Sequence, residues 1–252
     1  MKITETEKLT NLYISCSRPD NLFEEKYINT RRKEHRLFED WEVQYLPIVS
    51  KMHPHHKEWL VRKRSCQRLM KYLEAQKRSL QILEIGCGNG WLSQQLSAIP
   101  GSKVIGSDIN LMELQQAVRV FSKNSKLKFV YGDIRSGMLD DMNFDVIIFA
   151  SSIQYFPTLE EILFVSLSHL NPNGEIHILD SPIYREQQIE SAKYRSREYF
   201  TSIGSPEMSN LYFHHSYGQL SPFNYKLLTN PNSLANRLFL KIPFPWICIR
   251  NV

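Results

Sequence analysis

The sequence has no uninterrupted apolar run near the 18–20 residues that a membrane-spanning helix requires. Its opening segment, MKITETEKLT, alternates charged and small polar residues where a signal peptide would carry an apolar core. Neither a membrane span nor export is expected, and the expected location is the cytoplasm. Cysteine is scarce. Cys16, Cys66, Cys87 and Cys248 are scattered, and no C-x-x-C pair exists. That spacing excludes a zinc ribbon and a dithiol redox centre, and it suits a reducing compartment. Histidine is not arranged for metal: His53, His55 and His56 include no i, i+4 pair, and no carboxylate or cysteine cluster completes a site. No metal is expected. Internal repeats and low-complexity tracts are also lacking, which argues against a solenoid or a linker-like chain.

The remaining composition is that of an ordinary folded protein, and 252 residues suffice for one large α/β domain or a core with helical additions. The net charge is +5. Its basic residues gather at Arg31, Arg32, Lys33 and Arg36, and again at Arg62, Lys63, Arg64 and Arg68. Such clusters suit nucleic acid, an anionic lipid or an acidic substrate. Interspersed Glu34, Glu39 and Glu58 favour the plainer reading of solvated helix faces.

Three zones follow one another. Residues 1–79 are polar with apolar residues at helical spacing, which predicts an N-terminal helical cap with helices near 20–40 and 56–77. Leu37, Trp41 and Tyr45 recur every fourth position, and Leu60, Leu69 and Leu73 mark a later stripe. Residues 80–182 alternate short apolar runs (LQILEIG, KVIGSDI, LKFVYGD, FDVIIFAS, GEIHILD) with amphipathic stretches. Runs rich in β-branched and aromatic residues, ending in Gly, Asp or Ser, are the pattern of parallel strands buried on both faces. Strand–helix alternation then calls for right-handed crossovers in a doubly wound sheet. Asn171-Pro172-Asn173-Gly174 reads as the turn that ends the last helix. Residues 183–252 begin as a helix from Tyr184 to about Phe200, break at Gly204–Pro206, and end in FNYKLLT and PWICIRNV, the last two strands. Loop and a short helix are expected between them, around Pro231 and Pro243.

Chemistry concentrates after the first strand. Glu84-Ile85-Gly86-Cys87-Gly88-Asn89-Gly90 leads into the helical Trp91-Leu92-Ser93, and Asp108 ends the next strand, 18 residues after Gly90. Glycines let the backbone bend tightly and leave room for a ligand, and a carboxylate at that place accepts from both hydroxyls of a ribose. A nucleoside-containing ligand follows. In a dinucleotide fingerprint a third glycine packs helix on strand, whereas here the spacing is G-x-G-x-G and Trp91 stands in that place. Glu84, two residues before the first glycine, suits a cationic ammonium better than a pyrophosphate.

These segments resemble the class I S-adenosylmethionine (SAM)-dependent methyltransferases of small-molecule type. ILEIGCGNGWLS is similar to their first motif, VIGSDIN to the second, YGDIR (131–135) to the third, FDVIIFASSIQYF (144–156) to the fourth, and LNPNGEIHILD to the segment before the fifth strand. The resemblance spans 80–182 and departs from the pattern at Asn173, in place of a glycine, and at Gln154, where a histidine is common. It implies a Rossmann-like seven-stranded α/β methyltransferase sheet, with N-terminal helices and a helical lid before the last two strands. It implies a SAM-binding core at 80–182 and a lid, substrate segment and final strands at 183–252. The cofactor would be SAM, leaving S-adenosylhomocysteine as product. Its binding would fall to Glu84, Gly86, Cys87, Gly88, Asn89, Gly90, Trp91, Asp108, Ile109, Asp133, Ile134, Ala150, Ser151 and Tyr155. Asp133 would accept from the adenine amino group.

Methyl transfer is an in-line displacement that rests largely on positioning and water exclusion, with a base needed only where the acceptor holds its proton. Tyr155 and Phe156 are placed for a cation–π contact or for packing under a lid. Tyr184 is a candidate to reach the acceptor, and Ser181 reads as part of a Ser-Pro turn. His214 and His215, within an aromatic stretch, are either general-base candidates or partly exposed surface histidines. The His53–His56 loop is expected to fold over the cofactor with one imidazole touching it or the acceptor. The favoured acceptor is a small organic molecule methylated on oxygen or carbon. By the resemblance, nitrogen acceptors of the amide or adenine kind carry an Asn/Asp-Pro-Pro-aromatic tetrad where this chain has Ala150-Ser151-Ser152-Ile153. The alternatives are an RNA or protein methyltransferase using the basic N-terminal helices, a non-catalytic SAM- or nucleoside-binding module, and, by fold, a nicotinamide dehydrogenase.

Overall fold

The computed structural model describes residues 11–14, 21–234, 236, 238 and 242–250. The five apolar runs of the central zone become parallel strands: β2 (Gln81–Ile85), β3 (Lys103–Asp108), β4 (Leu127–Tyr131), β5 (Phe144–Ala150) and β6 (Leu170–Leu179). Their crossovers are α4 (Trp91–Leu96), α5 (Leu111–Phe121) and α6 (Leu159–Ser168), with a 3-10 turn at Ile134–Ser136 after β4. Alternate residues of each strand serve opposite faces. Ile82, Val146 and Ile148 pack beneath α4, α5 and α3 (His56–Glu74). Leu83, Ile147 and Phe149 pack against α6. Burial on both sides is why these runs lack polar alternation.

The sheet order is β1-β4-β3-β2-β5-β6-β10-β9, with β9 (Tyr225–Thr229) and β10 (Trp246–Arg250) formed by the two terminal runs. β10 lies antiparallel between β6 and β9. From β2 the chain winds outward through β3 and β4, then returns to β5 on the other side of β2. That reversal opens a crevice at the carboxyl ends of β2 and β5.

The sheet has eight strands rather than seven. β1 (Leu12–Ile14) adds to the edge, parallel to β4, pairing Leu12 with Phe129 and Ile14 with Tyr131. Three residues inside a polar zone are too few to show strand alternation. The single helix expected over 20–40 is two: α1 (Asn21–Lys33) and α2 (Asp40–Tyr45). His35 takes a left-handed φ of 54°, and Glu42 caps the new start by accepting from the Glu39 N–H at 2.8 Å. The Leu37–Trp41–Tyr45 stripe misleads, because Trp41 and Tyr45 are exposed while Val43 and Leu46 are buried. In α3 the buried side is Trp59, Cys66, Leu69 and Leu73, and Leu60 lies outside it.

Asn171–Gly174 is a bulge inside β6 rather than a turn before it: the pairing jumps from Phe144–Leu170 to Val146–Glu175. Asn173 has φ 63°, within the left-handed backbone that Asn tolerates. The helix expected from Tyr184 starts later, as α7 (Ile189–Ser202). Ile183–Tyr184 (β7) instead pairs with His215–Ser216 (β8) in a separate two-stranded sheet. Of the loop and short helix expected between the last strands, residues 235, 237 and 239–241 lie outside the described residues, as do Cys16 and the opening decapeptide.

Gly90 closes the bend before α4 at φ 74°, where an added Cβ would lie 2.6 Å from the Phe129 ring. Gly90→Ala combines left-handed strain with overpacking and is expected to cost about 2–4 kcal/mol. A lower urea midpoint at unchanged m-value would show it; an unshifted midpoint would contradict this packing.

Candidate active site

The β2–α4 bend is fixed by its neighbours. The Gly86 and Cys87 N–H groups donate to the Ser107 carbonyl at 2.8 and 3.1 Å. Gly86 has φ 75°, and a Cβ there would fall 2.4 Å from Ser152 Cβ, so the loops after β2 and β5 touch only because this residue lacks a side chain. Asp108 accepts from the Gly88 N–H at 2.7 Å and the Asn110 N–H at 2.9 Å. Glu84 accepts from Ser93 Oγ, and Glu113 lies against Gly88. Around these groups opens a cavity walled by Phe23 and Tyr27 of α1, Phe38, Trp59 of α3, and Trp91.

Every residue expected to bind cofactor lines this cavity except Gly90, which faces Phe129 and closes the bend. Asp133 is half-buried and forked by Arg135, with Nε to Oδ1 at 3.0 Å and Nη2 to Oδ2 at 2.5 Å. A donor from an adenine would therefore share those oxygens with a guanidinium.

The electrostatics are one-sided. Burial pushes Glu84 up to about 8, Glu113 to about 7 and Asp108 to about 6, and the negative charge of Asp108 adds to the first two. Asn110 Nδ2 is buried in the same wall without a partner. Carboxylates held out of water beside an unmet donor suit a ligand with a cationic end and hydrogen-bonding hydroxyl or ring atoms. An amino-acid sulfonium joined to a nucleoside has that make-up.

A second cavity of about 470 Å³ meets the first at Tyr27, Arg31, Arg36, Arg62, Ser151 and Tyr155. Its wall carries a chain of charges. Arg31 covers the Tyr27 ring, donates to the Tyr155 hydroxyl at 2.8 Å and pairs with Glu34 at 2.8 Å. Arg36 bridges Glu34 at 3.4 Å and Glu58 at 2.6 Å, and Arg62 pairs with Glu58 at 3.0 Å. These two guanidiniums hold Glu58 down to about 2 despite its burial.

The acceptor-side candidates divide. Tyr155 stands at the junction and Tyr184 in the wall of the second cavity. His215 is buried and tied to the Ile153 carbonyl at 3.1 Å. His214 bonds Ser196 Oγ at 2.8 Å behind Tyr184 and Tyr212. Neither imidazole lines either of these two cavities. The 53–56 loop does approach the site, but its histidines brace it: His53 stacks on Phe38, His55 Nε2 meets the Glu34 carbonyl at 2.8 Å, and His56 Nδ1 meets the Ser50 carbonyl at 3.0 Å. Ser181 is buried, donating to the Leu179 carbonyl as a turn residue would.

Several lining residues escaped the sequence reading: Phe23, Tyr27, Trp59, Glu113 and Asp180. Arg31, Arg36 and Arg62 were assigned to solvated faces. Their inward turn has one sequence correlate, the nearby Glu34 and Glu58 that now pair with them.

Glu175, His177 and Cys248 bring ligand-type atoms within 4.8 Å of one another. Trp246 Nε1 donates to His177 Nδ1 at 3.1 Å, so the imidazole proton sits on Nε2, 3.3 Å from Glu175 Oε2. Glu175 also accepts from Tyr72 and Arg250. The group is a polar brace across β6 and β10, in which His177 Nε2 faces Glu175 without a formed hydrogen bond.

Residues 82–174 match the family model of a methyltransferase domain. Among curated proteins the chain is similar to a malonyl-acyl-carrier-protein O-methyltransferase of Halalkalibacterium halodurans, 28% identical over 123 residues, covering 45% of each chain. It is also similar to a sterol 24-C-methyltransferase of Gibberella zeae, 26% identical over 125 residues, covering 47% of this chain and 33% of that one. The chain thus spans less than half the length of these relatives. The solved plantazolicin methyltransferase BpumL, bound to S-adenosylhomocysteine, shares the fold with a TM-score of 0.54 at 18% identity, over 92% of this chain and 98% of that one.

The raised carboxylates set the sign of one prediction. A Glu84 lifted from an ordinary value near 4.3 to about 8 favours folding when protonated, so that stability is present below about pH 4 and lost as pH rises through 8. Glu84→Gln is expected to make the ligand-free protein about 1–3 kcal/mol more stable than wild type at pH 8.5, with little difference at pH 4. Denaturant midpoints at the two pH values test this, and a variant less stable at pH 8.5 would refute it.

Proposed function

We propose, from the membership of its core in the class I SAM-dependent methyltransferases, that this chain transfers a methyl group to a small organic acceptor held in the second cavity. The observation that carries the reading is the meeting of two cavities beyond β5: a carboxylate-lined one that suits the cofactor, and an aromatic one that opens on it at Ser151 and Tyr155. Bound SAM supplies an electrophilic methyl. The chain's part is to orient and to exclude water. Phe23, Tyr27, Phe38 and Trp59 cover the first cavity, while Tyr199, Phe200 and Tyr212 enclose the second. Arg31 fixes the Tyr155 hydroxyl at the junction.

Oxygen or carbon is the favoured acceptor atom. Ala150-Ser151-Ser152-Ile153 leaves β5 without the tetrad that planar amino-group acceptors call for, and the two curated relatives are named for O- and C-methylation. An RNA or protein acceptor has less support, since Arg31, Arg36 and Arg62 of the basic clusters are engaged in the cavity wall. Among the described residues no helix is long and apolar enough to cross a membrane. A cytoplasmic setting is proposed from the unpaired Cys66, Cys87 and Cys248.

Calorimetry tests the reading. The protein is expected to bind SAM and S-adenosylhomocysteine and not NAD. Asp108→Asn, which removes a charged acceptor from the presumptive ribose site, should weaken binding about 10–100-fold. Binding of NAD, or unchanged SAM affinity in the variant, would refute the assignment.

A further inference from the structure

We propose that Asp180 is the proton acceptor of this transfer and that the methyl acceptor is a phenolic hydroxyl; the inference rests on the methyltransferase reading above.

Asp180 follows β6 and lines the second cavity, beside Ser151, which lines both. Its neighbour across the sheet is Ser151, the first residue after β5. Both hold left-handed backbone, with φ 51° at Asp180 and 57° at Ser151, and Ser151 Oγ donates to the Asp180 carbonyl at 2.9 Å. Two adjacent non-glycine residues in that conformation are a local cost that neighbouring structure must impose, and such residues gather at functional sites. The result places the Asp180 side chain in the wall of the second cavity.

The hydrogen-bonding inventory of that wall distinguishes Asp180 from the other acids. Glu34 and Glu58 are ion-paired with Arg31, Arg36 and Arg62. Among the described residues Asp180 has no such pair; it accepts from Ser65 Oγ at 2.6 Å through Oδ1. Burial raises its pKa, which makes it a stronger base than Glu58. Gln154 points the same way. Its Nε2 donates to the Ser151 carbonyl at 2.7 Å, and its Oε1 is buried in the cavity wall with no donor. A hydroxyl brings one donor, enough for either acceptor and, as the proton to be lost, suited to Asp180, whereas a carboxylate or an ether brings none.

The ring follows from the walls, where Tyr27, Tyr155, Tyr184, Phe200, Tyr212 and Phe244 surround the space. Acidity points to a phenol as well. A phenolic proton, with a pKa near 10 as in tyrosine, is given up to a carboxylate far more readily than that of an alkyl alcohol. In the step, the hydroxyl oxygen bonds the methyl carbon while the methyl–sulfur bond breaks onto sulfur. The hydroxyl proton passes to the Asp180 carboxylate and then to solvent.

Phenol, anisole and benzoate titrated into protein saturated with S-adenosylhomocysteine provide the test, read by calorimetry. Phenol is expected to bind at least about tenfold more tightly than either other ring, and Asp180→Asn to reduce its advantage over anisole by about tenfold. Asn keeps the left-handed backbone available, and the variant's affinity for S-adenosylhomocysteine reports that it is folded. Preference for benzoate, no detectable phenol binding, or an unchanged phenol-to-anisole ratio in the variant would overturn the proposal. Failure of the wild type to bind S-adenosylhomocysteine at all would instead remove the methyltransferase reading on which it rests.

Discussion

Carboxyl groups held out of water at the carboxyl ends of β2 and β3 are the constraint that organises this molecule. Glu84, Asp108 and Glu113 are each lifted by burial, and the fold places no cation against them in a direct ion pair among the described residues. Backbone N–H groups of Gly88 and Asn110 and the Ser93 hydroxyl give partial relief. Arg62 acts from a distance on Glu84 and Glu113, and Arg31 on Glu113, and a cationic ligand would add to this relief. A site that is costly when empty and satisfied by a cationic ligand exchanges stability for affinity, as functional sites commonly do.

The acceptor side follows the opposite design. Arg31, Glu34, Arg36, Glu58 and Arg62 are paired with one another along its wall, and Asp180 alone of the acids there has no ion pair among the described residues. Networks of this kind gain from low local dielectric and hold side chains in one arrangement. Aromatic edges complete the enclosure: Tyr155 meets Phe23, Tyr27 and Tyr212 in edge-on contacts.

Most of the sheet was legible because its strands are buried on both faces, which leaves short runs rich in β-branched and aromatic residues. The bend and Asp108 were legible because glycine spacing and strand ends are local properties. What escaped depends on distant packing. β1 gains its identity only from Phe129 and Tyr131 across the sheet edge. The Leu37–Trp41–Tyr45 stripe has helical spacing and faces solvent, because the chain breaks at His35 and re-enters on another face. His214 and His215 could be read from sequence either as bases or as surface histidines; only the fold shows that they meet Ser196 and the Ile153 carbonyl. Asp180 reads as an ordinary strand-end acid until Ser65 and Ser151 are brought beside it.

Tyr27, Arg31, Arg36, Glu58, Arg62, Ser151 and Tyr155 belong to both chambers at once. Thermodynamic linkage then makes the two occupants mutual effectors: whatever factor the first ligand contributes to the second's affinity, the second returns to the first. A shared partition also means that α1 and α3 cannot move away from one ligand without loosening the other. Events in the two chambers are thereby joined through two helices that lie outside the central sheet itself.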